Sequence, residues 1–114
     1  MNIKPGYDLR GKPISEKIIQ EQIRMALSAT CIVFRANVGV FKQGDRFIST
    51  GLPKGFPDLF GFRKKDGKIF FIEVKNAKGR LSEGQKLFAD FIKNYPVIYG
   101  VARSIEEALE IVKC

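Results

Sequence analysis

The sequence predicts an α/β fold in which one mixed β-sheet carries helices on both faces. Three observations predict it. Apolar residues recur at helical spacing in separate segments, short β-rich runs alternate with those segments, and one run is apolar on both of its faces. The order reads helix, strand, short strand, a hairpin of two strands, helix, strand, helix, an alternation that builds a sheet between helical layers.

Residues 1–14 hold Pro5, Gly6, Gly11 and Pro13 and read as an irregular arm. Ser15 is the predicted N-cap of a helix running to about Ala29, with Ile18, Ile19, Ile23, Ala26 and Leu27 as its apolar face. Cys31-Ile32-Val33-Phe34 is a β-rich run that continues through Arg35 to Asn37. Gly39 and Gly44 bracket a predicted loop, and Arg46 to Ser49 is a short strand. Thr50 to Pro57, with two Gly and two Pro, is a loop. Leu59 to Phe62 and Lys68 to Lys75 flank Asp66-Gly67, a hairpin turn signal. Ser82 opens the second helix, with Gln85 as its capping-box partner and Leu87, Phe88, Phe91 and Ile92 as its apolar stripe. Pro96 to Val101 is the last strand, and Ser104 with Glu107 forms a second capping box for a helix to about Val112.

The length of 114 residues suits one domain over 1–114, and 45% hydrophobic content supplies a core. No apolar run approaches the roughly 20 residues of a membrane span, and Met1 to Arg10 has no signal-peptide character. An intracellular, cytoplasmic protein without a membrane partner is expected. The chain has no histidine, which excludes serine-hydrolase triads and His-based acid–base schemes. Its two cysteines, Cys31 and Cys114, are too few for a zinc site and do not read as a disulfide framework. A bound metal is therefore expected to take oxygen ligands, favouring Mg²⁺ or Mn²⁺. The formal charge is +8, and between Lys54 and Lys86 nine basic residues face four acidic ones. Such a balance points to a polyanionic partner such as nucleic acid.

The chemistry is concentrated in two short motifs. Along Ile69-Phe70-Phe71-Ile72-Glu73-Val74-Lys75, side chains alternate, so Phe70, Ile72 and Val74 share one face while Ile69, Phe71, Glu73 and Lys75 share the other. Glu73 and Lys75 end this apolar strand roughly 6.5 Å apart, where charge is costly unless paired or metal-bound. Taken alone, they read better as a strand leaving the core with a solvated Glu–Lys pair. In Gly55-Phe56-Pro57-Asp58, Pro57 fixes the backbone and holds Asp58 at the mouth of the preceding strand, although the same tetrapeptide is an ordinary turn signal. Counting through the Asp66-Gly67 turn sets Asp58 nearly opposite Glu73. Two carboxylates and a lysine then converge. Two carboxylates can hold a divalent cation that polarises a phosphoryl oxygen and acidifies bound water.

In their order, Gly55-Phe56-Pro57-Asp58 and Glu73-Val74-Lys75 resemble the PD-(D/E)xK nuclease signature, and more closely the virus-type replication-repair nuclease (VRR-NUC) domain. The resemblance extends to Glu16 and Gln20, to Arg35-Ala36-Asn37 with Gly39, to Gly79-Arg80-Leu81-Ser82 with Gln85, and to Ser104-Ile105-Glu106-Glu107. It implies a three-layer α/β/α, restriction-endonuclease-like fold with a central mixed sheet, and metal-dependent phosphodiester hydrolysis in DNA. It further implies Asp58 and Glu73 as metal ligands, the Val74 backbone carbonyl as a third, and Lys75 as the residue that orients the attacking water. Glu16 is implied as a ligand or a holder of metal-bound water, and Gln85 as a support. Phe56 departs from the smaller aliphatic residue expected there. Stand-alone viral and bacterial members resemble dimeric Holliday-junction resolvases, so branched DNA and a homodimer are expected.

Other readings stand beside these. A first-turn glutamate such as Glu16 also favours the helix dipole, and Gln85 is already accounted for by its capping box. Lys54, Lys78 and Arg80 flank the site in sequence and are candidate phosphate contacts, as are Arg35 and Asn37, for which plain solvent exposure serves equally. The Arg63-Lys64-Lys65 run reads as a solvated basic turn, and the phenylalanines mostly sit at core spacing. A sequence-specific restriction-type endonuclease and a non-catalytic nucleic-acid-binding module are the competing functions. Loss of Asp58, Glu73 or Lys75 would mark the latter, and all three are present.

Overall fold

The structure, a computed structural model, describes residues 4–38, 40–49 and 51–113, with residues 40 and 41 described by their backbone alone. Gly39, Thr50 and Cys114 lie outside the described residues. The elements are α1 (Glu16–Leu27), β1 (Cys31–Arg35), β2 (Val40–Gln43), β3 (Arg46–Ser49), β4 (Leu59–Arg63), β5 (Ile69–Val74), α2 (Glu83–Ile92), β6 (Ile98–Ala102) and α3 (Ile105–Val112). Four strands form the central sheet in the order β1-β4-β5-β6. β1 with β4 and β4 with β5 are antiparallel, while β5 with β6 is parallel. The sheet is therefore mixed, as predicted.

One face of that sheet carries the core. Phe70, Ile72 and Val74 of β5 are buried with Leu59 against Ile19, Ile23 and Leu27 of α1 and Ala108 and Val112 of α3. These α1 residues recur at spacings of four, which stacks them on one helical face. Ser15 caps α1 by accepting the Ile18 N–H, and the helix ends at Leu27 with Ser28 as its C-cap. Ile18 lies outside the buried stripe and is exposed.

The opposite face is covered by α2 and is aromatic. Phe56 meets Phe60, Phe71 and Phe88 edge-on, with ring centroids 5.4–5.7 Å apart, and Phe88 also meets Phe71 and Tyr99. Strand alternation sends Phe60 and Phe71 to this face, and Phe56 and Phe88 join them from the loop before β4 and from α2. Most phenylalanines at core spacing thus pack here rather than in the main core, where Phe70 is buried. α2 covers only part of this aromatic face. Leu87 and Phe91, assigned to its apolar stripe, are exposed, as are Ile32, Phe34, Phe62 and Ile69.

Residues 40–43 form a strand rather than a loop. β2 pairs with β3 in a separate two-stranded sheet, Lys42 opposite Phe47 and Gln43 opposite Arg46. The turn between them uses Gly44 at φ +64°, and polar Lys42 and Gln43 disguised the segment. The Ser104 box is also altered. Ser104 caps α3 by accepting the Glu107 N–H, but Glu107 Oε1 accepts the N–H of Arg103 rather than that of Ser104. At the β4–β5 turn, Arg63 is engaged by Asp66 and by the Val112 and Lys113 carbonyls, so it is not a simple solvated charge. Cys31 is a buried free thiol. No described helix is long and apolar enough to cross a membrane.

Candidate active site

Strand register builds the site. Leu59 lies opposite Ile72, which sets Asp58 and Glu73 beside one another where β4 begins and β5 ends. Asp58 is fixed from two directions: its Oδ2 accepts the Val74 N–H at 2.8 Å, and its carbonyl accepts the Ala36 N–H at 2.8 Å. The ring of Pro57, itself buried, restrains the approach.

Glu73 is 1% exposed and Lys75 is 8% exposed, the two buried charged residues among those described. Gln85 Nε2 donates to Glu73 Oε1 at 3.1 Å, whereas Glu73 Oε2 is buried with no hydrogen-bond partner. Burial pushes the Glu73 carboxyl up to about 9, the adjoining Asp58 carboxylate adds to this, and the Lys75 charge opposes it. Two adjacent acids in a dry setting cannot both be charged at ordinary pH unless a cation joins them.

Gln85 reaches Glu73 because of a close backbone approach. Gly55 has φ +92°, and a Cβ there would lie 2.3 Å from the Gly84 carbonyl oxygen. Glycine therefore lets the 55–58 segment press against the first turn of α2. The Ser82–Gln85 capping box is complete, so Gln85 caps its helix and contacts the site at once.

Glu16 and Lys75 meet around Gly79. A Cβ at Gly79 would fall 2.7 Å from Glu16 Oε2 and 3.2 Å from Lys75 Cδ. The loop that follows β5 is folded by Asn76, whose Oδ1 accepts the N–H groups of Lys78 and Gly79 at 3.1 and 2.7 Å. Arg103 Nη1 fastens the same loop from β6, donating to the Asn76 and Gly79 carbonyls at 2.5 and 2.7 Å. Asn76 was foreshadowed by the Asn-x-x-Gly turn pattern. Arg103 has no sequence signal, since its reach depends on how β6 lies beside β5. Tyr99 is a further neighbour that the sequence reading missed; its hydroxyl is buried without a partner, and burial with the Glu73 charge pushes it up to about 12.

The structure thus brings together Asp58, Glu73, Val74 and Gln85, with Lys75 and Glu16 alongside. Arg35, Asn37, Lys54, Lys78 and Arg80 are exposed and remain outside this group. Arg35 pairs with Leu59, one residue from Asp58, and no ion pair engages Arg35, Lys54, Lys78 or Arg80 among the described residues. No three acidic or thiol side chains close around one point among the described residues. Two carboxylates and a nearby backbone carbonyl nonetheless make an oxygen donor set of the kind hard divalent cations take, and the unmet Glu73 oxygen fits such a cation.

The VRR-NUC domain family model matches residues 16–106. A solved structure described as a VRR_NUC domain aligns with a TM-score of 0.61 at 19% identity, covering 86% of this chain and 94% of that one. That likeness bears on the fold. A search of the curated proteins finds no match. The family match over most of the length leads to one conclusion: the chain belongs to the VRR-NUC family, a membership that implies a nuclease-type, DNA-processing function.

Proposed function

We propose that the chain is a Mg²⁺- or Mn²⁺-dependent DNA endonuclease, selective for branched DNA such as four-way junctions or flaps, and active as a homodimer. VRR-NUC nucleases are generally divalent-metal dependent. The observation that carries the proposal is the buried Glu73 carboxylate, with one oxygen unmet, beside Asp58 and Lys75 at one end of the sheet.

In this reading Asp58, Glu73 and the Val74 carbonyl hold the metal. When bound, it polarises the scissile phosphate and lowers the pKa of a water. Lys75 orients the attacking water and meets charge developing on the phosphate. Glu16 holds a water from the helix side, and Gln85 keeps Oε1 of Glu73 turned toward α2, leaving Oε2 for the ligand. Arg35, Asn37, Lys54, Lys78 and Arg80 contact backbone phosphates on the exposed rim.

The homodimer is supported by the open sheet face. Ile32 pairs with Phe62 and Phe62 with Ile69, so the exposed Ile32, Phe62 and Ile69 form one uncharged row, with Phe34 beside it. Monomers rarely leave such contiguous apolar surface in water, and a two-fold pairing supplies two sites for paired cuts across a junction. Light scattering at low and high salt is expected to report a dimer; a strict monomer that still cuts junctions symmetrically overturns this part.

The deciding test incubates the protein with flap, fork, four-way and linear DNA in Mg²⁺, Mn²⁺ or EDTA. Cutting of branched substrates in metal alone is expected. Glu73→Ala and Lys75→Ala are each expected to slow cutting about 100-fold or more while binding in EDTA stays nearly unchanged. Equal collapse of binding would remove the catalytic assignment. Cleavage of linear duplex at one sequence would favour the restriction-type reading, and binding without cutting in either metal would favour the non-catalytic one.

A further inference from the structure

The β2–β3 hairpin belongs to neither the core nor the central sheet. Its two strands pair only with each other, and a lone two-stranded ribbon is marginally stable in water. Both of its roots, however, are fixed at the rim of the site. On the entering side the Ala36 N–H donates to the Asp58 carbonyl, and on the returning side Gly55 presses on the Gly84 carbonyl three residues before Asp58. The radius of gyration is 15.3 Å, against about 13 Å for a compact chain of this length, which agrees with an element standing away from the body.

The hairpin's side chains are unusual for an element without a packing partner. Phe47 is 75% exposed. Lys42 lies directly opposite it, and Arg46 precedes it at the turn; both cations are exposed. Neither forms an ion pair among the described residues. Asp45 is the single acid of the ribbon, and Arg35 and Lys54 add positive charge near its roots. An aromatic face flanked by cations is the combination that takes a nucleobase and its phosphates. A second copy of this chain, itself at +8, would bring like charge to the ribbon, and the apolar surface suited to self-association lies elsewhere, on the open sheet face.

We propose that the β2–β3 hairpin is a DNA-gripping arm, with Lys42 and Arg46 on phosphates and Phe47 stacked on a base left unstacked where the duplex is interrupted. This rests on the reading of the chain as a nuclease for branched DNA and assigns the recognition of the branch to a defined element. A base inside a continuous duplex has no free face for Phe47, so the stacking contact forms only at a branch, gap or flap. The cations serve on any DNA.

Binding of the full chain in EDTA, to a four-way junction and to linear duplex of the same length, tests the arm without chemistry. Phe47→Ala is expected to weaken junction binding about 5- to 100-fold, leave linear binding nearly unchanged, and be rescued by Phe47→Tyr. Lys42→Ala with Arg46→Ala is expected to weaken both and to reduce the slope of log affinity against log salt by about two. All three side chains are exposed, so the melting temperature should hold. Phe47→Ala binding as wild type, or losing equally on both DNAs, overturns the arm. A shift in oligomeric state on Phe47→Ala, with DNA affinity retained, identifies a second copy as the occupant and also overturns it. Unchanged variants beside a wild type that binds and cuts branched DNA dismiss the arm alone; a wild type that binds no DNA dismisses the nuclease reading with it.

Discussion

Gln85 donates from its side-chain Nε2 to Glu73 Oε1 at 3.1 Å while its side-chain Oε1 accepts the Ser82 N–H at 2.8 Å. One side chain thus closes the capping box of α2 and steadies the acid at the end of β5. Removing it should have two separable effects. Ser82→Ala and Gln85→Ala are both expected to cost about 1 kcal/mol through the weakened cap, read by thermal melting. Gln85→Ala alone is expected to slow DNA cutting as well. Equal kinetics for the two variants would mean that the contact to Glu73 is incidental.

The proton on Glu73 predicts a direction for stability against pH. In the folded chain this acid holds its proton to about pH 9, first through burial and then through Asp58, whereas its ordinary value is 4.5. Between those limits the folded state binds more protons than the unfolded state, so stability falls as pH rises. In EDTA the wild type is expected to lose melting temperature progressively from about pH 5 to about pH 9. Glu73→Gln, which cannot ionise, should show a flatter profile and melt higher at the alkaline end. Parallel profiles would show that Glu73 is charged throughout.

The contact between Gly55 and Gly84 is sensitive to a single methyl group. Gly55→Ala would impose a Cβ both at φ +92° and 2.3 Å from a backbone oxygen that cannot swing away. We expect a loss of about 2 kcal/mol or more in a denaturant titration, together with displacement of α2 from Glu73. Gly67→Ala is the control: it shares a positive φ but has open space around it, so it should cost less.

Exposed cations beyond the acid pair should act through phosphates. Lys78→Ala and Arg80→Ala are each expected to reduce the salt slope of binding by about one and to weaken binding to all sequences alike. Binding titrations at several salt concentrations check this. A sequence-dependent loss would point to base contact instead.

The sequence revealed the elements whose causes are local. Alternation along 69–75 separated Phe70, Ile72 and Val74 from Glu73 and Lys75, and the count through Asp66-Gly67 put Asp58 opposite Glu73, as the register bears out. Ser15 and Ser82 likewise announced their helices. Local pattern failed where a residue's surroundings come from elsewhere in the chain. Leu87 and Phe91 have helical spacing but too little sheet above them to be buried, and Lys42 and Gln43 hid a strand because β2 faces water.

What the sequence determined by itself was therefore the helices, the four strands of the central sheet and the meeting of Asp58 with Glu73, since local periodicity and one tight turn suffice for these. The tertiary structure alone decided that Gln85 reaches that pair, that Glu16 comes beside Lys75 at Gly79, that Arg103 fastens the loop after Lys75, and that the aromatic residues gather on the sheet face opposite α1. Those outcomes depend on where α1, α2 and β6 dock, and docking is set by packing between residues far apart in the chain, which no local spacing encodes.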